Sequence, residues 1–370
     1  MKEFELKMKG EISRLTNKTF KFDERVKEGW FSAVYFLKTK EIVQREHPDN
    51  IVTMQFFQKQ HTVLCGTDEA IALIHTFAEQ PESLEVYSLK DGDKIEPYES
   101  VLTITGPYQN FGFLEGLIDG ILARRTSVAT NVYQVVKAAR VSGKQKPIIF
   151  MGDRDDHFTQ QSGDGYAAFI GGSTAQATHA MNEWWGKQGM GTMPHALIQL
   201  FKGDIVEATK AYNKCYPDDD LMALVDYNND VITDSLKVAR EFGEKLVAVR
   251  LDTSRTMVDK YFFRNQHLMG KFDPRGVNPE LIFALRNALD EEGFQHVKIV
   301  ASGGFTEDRI REFEKRGVPV DMYGVGSNLL KINVGFTGDN VLLNGEPEAK
   351  KGRKYNPNPR LEKVEYREKN

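Results

Sequence analysis

From Lys146 onward the chain alternates short apolar runs with helical stretches, the runs being Ile148 to Met151, Leu221 to Val225, Leu246 to Leu251, Val297 to Ala301 and Met322 to Val325. Runs that are apolar throughout, rather than at every second residue, suit strands buried on both faces, and helical stretches between them make βα units of a parallel sheet. Gly189 to Met193 is a weaker candidate between the first two. Five clear units and a sixth weaker one, each ending in polar or glycine residues, favour an α/β barrel over a doubly wound sheet. The expected fold is an incomplete barrel of six to seven strands. In a barrel the carboxyl ends of all strands meet at one face, so the polar residues at the ends of these runs become neighbours.

The N-terminal part has a different rhythm. Lys38 to Ala78 mixes helical patterning with the β-prone run Ile51 to Gln55, and Leu84 to Thr105 is strand-like around the turn Asp91-Gly92-Asp93. Leu114, Leu117, Ile118, Ile121 and Leu122 repeat at helical spacing and predict a helix from Phe113 to about Arg125. With 370 residues the chain exceeds one ordinary compact domain. A barrel-sized domain preceded by a smaller α+β domain is expected.

Charge and composition exclude several classes of function. Lys and Arg number 49 against 53 Asp and Glu, a formal charge of -4, so no basic field recruits nucleic acid or an anionic membrane. Nothing approaches the ~18 uninterrupted apolar residues of a membrane span, and Met1 to Ser13 lacks the apolar core of a signal peptide. A cytoplasmic protein is expected. The two cysteines, Cys65 and Cys215, are too few for a disulfide framework or a four-thiolate zinc site.

Chemistry concentrates at the run ends. The last two runs close in Ser302-Gly303-Gly304 and Gly324-Val325-Gly326-Ser327, where bare backbone N–H groups can approach an anion. One glycine pair reads as a tight turn; two on successive strand ends describe a phosphate cradle. Arg250 and Asp252 flank the end of a third run and, two residues apart, face the same side. Such an arginine grips a phosphate or pyrophosphate bidentately, and such a carboxylate orients sugar hydroxyls or holds Mg²⁺ through water; a structural salt bridge at the rim is the alternative. Arg154, past the first run, can pair with a substrate carboxylate, or simply neutralise Asp153, Asp155 and Asp156. No metal site of the protein's own is expected from these aspartates. His195 closes Gly189-Met190-Gly191-Thr192-Met193-Pro194-His195 and suits a general base, a phosphate contact or a nucleophile, although spacing alone does not separate it from a hydrogen-bonded structural histidine.

Gly191-Thr192-Met193-Pro194-His195-Ala196, Arg250-Leu251-Asp252, Ser302-Gly303-Gly304 and Tyr323-Gly324-Val325-Gly326-Ser327 together resemble the nicotinate phosphoribosyltransferase family in order and spacing. The resemblance extends from Tyr35-Phe36-Leu37-Lys38-Thr39 to Pro359-Arg360-Leu361. It implies a type II phosphoribosyltransferase fold, with an N-terminal α/β sandwich over 1–130, a catalytic barrel over 131–335 and a C-terminal segment, 336–370, that packs back on the first domain, and a homodimer with shared active sites. The implied reaction joins nicotinate to phosphoribosyl pyrophosphate, giving nicotinate mononucleotide and pyrophosphate in NAD synthesis, with Mg²⁺ and with ATP as a co-substrate in the manner of a ligase. On this resemblance His195 matches the histidine that ATP phosphorylates, and Arg154 and, from the partner subunit, Tyr35 match residues that contact the pyridine ring. Thr174 stands at the base pocket where many relatives carry an acidic residue. Arg250 and Asp252 match residues that handle the ribosyl pyrophosphate, and Thr126, Ser302, Gly303, Gly304, Gly324, Gly326 and Ser327 the phosphate-binding set. Zinc is not expected, since the cysteines that bind it in some archaeal relatives are missing.

Nicotinamide and quinolinate phosphoribosyltransferases are the nearest alternatives. Quinolinate would need several clustered cations, for which Arg124 and Arg125, contributed by the partner subunit, are the candidates beside Arg154, whereas Asp153 keeps the neutral amide open. A catalytically silent regulator that binds a pyridine nucleotide would be expected to lose Arg250, Asp252 or His195, and all three are present.

Overall fold

The computed structural model describes residues 2–366. The N-terminal part contributes β1 (Ile51–Phe57), β2 (Thr62–Val63), β3 (Glu85–Ser88), β4 (Lys94–Ile95) and β5 (Leu102–Pro107). β1 and β5 are rich in β-branched and aromatic residues and pair antiparallel, with the almost wholly buried helix Thr67–Phe77 in the same core. β2 and β4 form a separate two-stranded ladder.

The second half builds β6 (Ile148–Phe150), β7 (Ala175–Gln176), β8 (Leu221–Leu224), β9 (Leu246–Leu251), β10 (Lys298–Ala301) and β11 (Met322–Val325), all parallel, in the order β7-β6-β11-β10-β9-β8. This is the incomplete α/β barrel expected from the run pattern, open between β7 and β8. Alternation along the strands sets its interior in layers. Ile149, Met222, Ala248 and Val300 form a small inner cluster. Two residues further along each strand come Met151, Leu224, Arg250 and Ser302, joined by Gly324 on β11, and all five border one cavity at the carboxyl face.

The reading of Gly189 to Met193 as a strand is corrected. The segment is irregular, because Gly189, Gly191 and Pro194 favour turns and remove a donor, and it touches the sheet through the Met190 N–H, which donates to the Gln176 carbonyl at 2.8 Å. The strand between β6 and β8 is instead the two-residue β7.

The expected helix also runs longer than its apolar repeat. It spans Glu115–Ala138, across residue 130 where the domain division was placed. Thr126, Ser127 and Thr130 are poor helix formers, yet each hydroxyl is used. Thr126 Oγ1 accepts from the Cys65 N–H at 3.1 Å and donates to its carbonyl at 3.0 Å. Ser127 Oγ accepts from the Val334 N–H, and Thr130 Oγ1 from the Val63 N–H. Tertiary hydrogen bonds override propensity here.

After the barrel the chain returns to the first sheet. β12 (Thr337–Leu343) pairs with β1, β13 (Glu346–Pro347) with β12, and β14 (Glu362–Val364) with β3, giving the order β13-β12-β1-β5-β3-β14. Of the segment 336–370, residues 367–370 lie outside the described residues. No helix among the described residues is long and apolar enough to cross a membrane.

The return is electrostatically strained where β12 crosses the long helix. Glu115 is pushed up from its ordinary 4.5 to about 8 by burial, with Asp119 and Asp339 adding to the effect, and burial likewise lifts Asp119 to about 6. A carboxyl whose folded pKa is raised gives stability that is complete below its unfolded value and lost as pH rises through the folded one. Glu115→Gln is therefore expected to leave thermal stability unchanged near pH 4 and to raise it above pH 8. The gain should be about 1–2 kcal/mol after solvent screening; equal melting shifts at both pH values would refute the idea.

Candidate active site

The cavity at the barrel mouth measures about 580 Å³, within the range of small-molecule sites. His195, Arg250, Asp252, Arg154, Ser302, Gly303, Gly304, Gly324, Gly326 and Ser327 all line it. Residues scattered over more than a hundred positions meet because each lies at or just past the carboxyl end of a strand or in the segment from Gly189 to His195.

Arg250 is the most constrained cation. Its Nε donates to Ser302 Oγ at 3.0 Å, Nη1 to Thr192 Oγ1 at 3.4 Å and Nη2 to Asp252 Oδ2 at 3.2 Å. Ser302 Oγ also donates to Asp252 Oδ1 at 2.8 Å. The three side chains make a fixed cation–hydroxyl–carboxylate group, so the rim salt bridge weighed as the alternative exists as part of the cavity wall.

The glycine turn follows directly from Ser302 and packs against Asp252 and Thr253. Gly303 and Gly304 have φ of +91° and +70°, a region that costs a side-chain-bearing residue energy. A Cβ on Gly326 would lie 2.8 Å from both the Met151 carbonyl oxygen and Asp155 Oδ2. The N–H groups of Gly303, Gly304 and Gly326 donate to no acceptor among the described residues. Unpaired donors converging on an open cavity form an anion-binding concavity.

His195 opens the short helix His195–Leu200, and its Nε2 lies 3.1 Å from Asp226 Oδ1. Burial raises the pKa of Asp226, opposed by the hydrogen bond and charge of His195. Asp226 is absent from the sequence-based set, although a signal existed: it lies two residues past Leu224, as Asp252 lies two past Arg250.

Arg154 borders the cavity and makes no hydrogen bond or ion pair among the described residues. The acidic neighbours it was weighed against do not hold it; Asp156 pairs with Arg124 instead. Arg124 also binds Asp164 at 2.7 Å, and the buried Arg125 binds Glu69 at 2.7 Å and Asp164 at 3.2 Å. Neither arginine lines the cavity.

Three positions fall elsewhere. Thr126 is fully buried against Cys65 and does not reach the cavity, since its hydroxyl is used by backbone on the far side of its helix. Thr174 precedes β7 and binds the Ile148 carbonyl at the start of β6, so it sits at the amino end of the barrel, opposite the site. Tyr35 lies on the surface, 64% exposed, beside Trp30 at 69% and Val34 at 63%, and does not line its own chain's cavity.

The family described as quinolinate phosphoribosyl transferase, N-terminal domain, matches residues 33–126. The nicotinate phosphoribosyltransferase of Bacillus subtilis (strain 168) is 27% identical over 252 residues, 66% of this chain and 45% of that protein, so the chain spans about half the length of the curated relatives it matches. The crystal structure of nicotinate-nucleotide pyrophosphorylase from Pyrococcus furiosus superimposes with a TM-score of 0.76 at 29% identity, covering 93% of this chain and 85% of that one. Human nicotinic acid phosphoribosyltransferase shares the fold at a TM-score of 0.65 and 16% identity, covering 86% and 75%. The chain is thus similar in sequence to the nicotinate phosphoribosyltransferases, and it shares the fold of the Pyrococcus furiosus and human structures.

Proposed function

We propose that this protein transfers the phosphoribosyl group of phosphoribosyl pyrophosphate to nicotinate, forming nicotinate mononucleotide and pyrophosphate for NAD synthesis. The observation that carries the reading is the single cavity that unpaired backbone donors share with the Arg250–Ser302–Asp252 group, with Arg154 unpaired at the rim.

The 5′-phosphate lies on the N–H groups of the glycine turns. Arg250 stabilises negative charge that grows on pyrophosphate as its bond to the anomeric carbon breaks. The ring nitrogen of nicotinate, held with its carboxylate on Arg154, forms the new bond to that carbon as pyrophosphate departs. A monocarboxylate suits one free guanidinium; Arg124 and Arg125, already paired with carboxylates, give quinolinate's second carboxylate no partner.

Mg²⁺ fits as an ion delivered with pyrophosphate. The described residues contain no group of three or more His, Cys, Asp or Glu placed to hold a metal, while Asp252 at the cavity offers one carboxylate, and such an ion takes only one or two beside phosphate oxygens. Bound there, it supplies further neutralisation of the leaving group.

Asp226 holds Nε2 of His195 and leaves Nδ1 as the nucleophile for the γ-phosphoryl group of ATP, with ADP leaving. The phosphohistidine adds negative charge beside the pyrophosphate subsite, which links ATP hydrolysis to turnover. In the proposed cytoplasmic homodimer, Tyr35 with Trp30 and Val34 belongs to the face that meets the partner's cavity.

The test is product formation from phosphoribosyl pyrophosphate, Mg²⁺ and nicotinate, nicotinamide or quinolinate, with and without ATP, for wild type and His195→Ala. Nicotinate mononucleotide from nicotinate, with ATP stimulation abolished in the variant, is expected. Because the pKa of Asp226 is raised, ATP stimulation should fade on acidification at a pH above the ~3.9 of an ordinary aspartate, as the protonated carboxyl ceases to hold the imidazole. Turnover with another base alone would refute the substrate assignment.

A further inference from the structure

The turn Ser302–Phe305 is gripped from behind by a residue outside the cavity lining. Arg309 is the third residue of the helix Glu307–Lys315. Its Nη1 donates to the carbonyl oxygens of Gly303 at 3.0 Å and Gly304 at 3.4 Å, and its Nη2 to that of Val277. The guanidinium lies 4.4 Å from the ring centroid of Phe305 and 5.7 Å from that of Phe313. No carboxylate among the described residues forms an ion pair with it. Burial, reinforced by the charge of Arg255, pushes its pKa down to about 10. A cation so placed contributes through the carbonyls it binds.

Those carbonyls determine where the neighbouring donors aim. In a trans peptide the C=O and the following N–H point in opposite directions, and the described chain has no cis bond. Carbonyls of Gly303 and Gly304 turned toward Arg309 therefore direct the N–H groups of Gly304 and Phe305 away from it. Both N–H groups lack a protein acceptor, and both residues border the cavity. Glycine imposes little preference between orientations of such peptide planes. Without the guanidinium, nothing in the turn's own sequence selects the orientation with donors outward.

We infer that Arg309 is a positioning residue of the phosphate site, one that touches no ligand and fixes two peptide planes so that their N–H donors are set before the anion arrives. The inference rests on the phosphoribosyl reading of the cavity, and its effect falls on one substrate only. The 5′-phosphate is remote from the bonds that change, so weakening its cradle removes binding common to ground and transition states.

The experiment compares Arg309→Ala and Arg309→Lys with wild type in two ways: calorimetric binding of ribose 5-phosphate, and steady-state turnover with each substrate varied. Arg309→Ala is expected to raise Kd for ribose 5-phosphate and KM for phosphoribosyl pyrophosphate by about ten- to a hundredfold. KM for nicotinate and kcat should stay within about twofold. Added methylguanidinium, filling the space between the two phenyl rings, should restore phosphate affinity. An unchanged Kd overturns the proposal, as does a joint rise of both KM values with no methylguanidinium rescue, which marks a general structural role. Should the alanine variant not fold, Arg309→Lys carries the comparison, because a single ammonium cannot hold the two glycine carbonyls and the Val277 carbonyl at once, as the two nitrogens of the fork do; a wild-type Kd in that variant overturns the idea. Wild type that binds ribose 5-phosphate yet makes no nicotinate mononucleotide removes the base assignment alone, and the calorimetric comparison still decides on Arg309. Wild type with no affinity for ribose 5-phosphate overturns both.

Discussion

Arg250→Ala is expected to lower phosphoribosyl transfer by about a thousandfold, the effect of removing a fixed donor from a site where charge develops. Its guanidinium has three side-chain partners within the cavity wall and so needs no reorientation as pyrophosphate departs. Arg250→Lys should recover little, since an ammonium cannot bind Ser302, Thr192 and Asp252 together and still present a planar fork. Single-turnover release of pyrophosphate, read at saturating substrate, isolates the step. A loss under about tenfold would show that the negative charge is met elsewhere.

The largest structural effect is expected at Gly165, in the helix Gln161–Ile170. Helix propensity alone says that Gly165→Ala should stabilise by about 1 kcal/mol. Packing says the opposite. A Cβ there would lie 2.0 Å from the Met181 carbonyl oxygen and 2.5 Å from its carbonyl and α carbons, all backbone atoms that no rotamer change can move. Sterics should win by a wide margin, with a loss of about 4 kcal/mol in urea-induced unfolding. A variant as stable as wild type would mean that the segment around Met181 yields freely, against the buried bond from the Trp185 indole N–H to the same carbonyl.

Both predictions bear on how much a sequence can disclose. Five strands were legible because parallel strands buried on both faces read as unbroken apolar runs, and Arg250, Asp252 and the glycine turns followed from their place at the run ends. β7 was not legible. It is two residues long, and Gln176 looks like a surface residue until its amide is seen donating to the Gly165 carbonyl and to Ser173 Oγ in the interior. Gly189 to Met193 misled for the converse reason, since its apolar residues cover the open side of the barrel without pairing along it. Thr174 was misplaced because motif matching does not say which end of a strand a residue occupies. Thr126 was misassigned because a hydroxyl suited to phosphate is equally suited to pin a helix, and only tertiary partners distinguish the two. Asp226 was within reach of the two-residue rule and needed only its consistent application. Arg309 was beyond reach, for its role depends on which way two carbonyls turn.

The sheet order β13-β12-β1-β5-β3-β14 has a consequence for the protein's birth on the ribosome. Both flanks of the N-terminal sheet come from residues 337–364, so β1 and β3 wait with open edges while the whole barrel is synthesised. Exposed strand edges invite pairing with other chains, and closing a loop of nearly 300 residues is slow. The nascent first domain is then a client for chaperones until its outer strands emerge, and a stalled or truncated message should yield aggregates rather than a soluble N-terminal fragment.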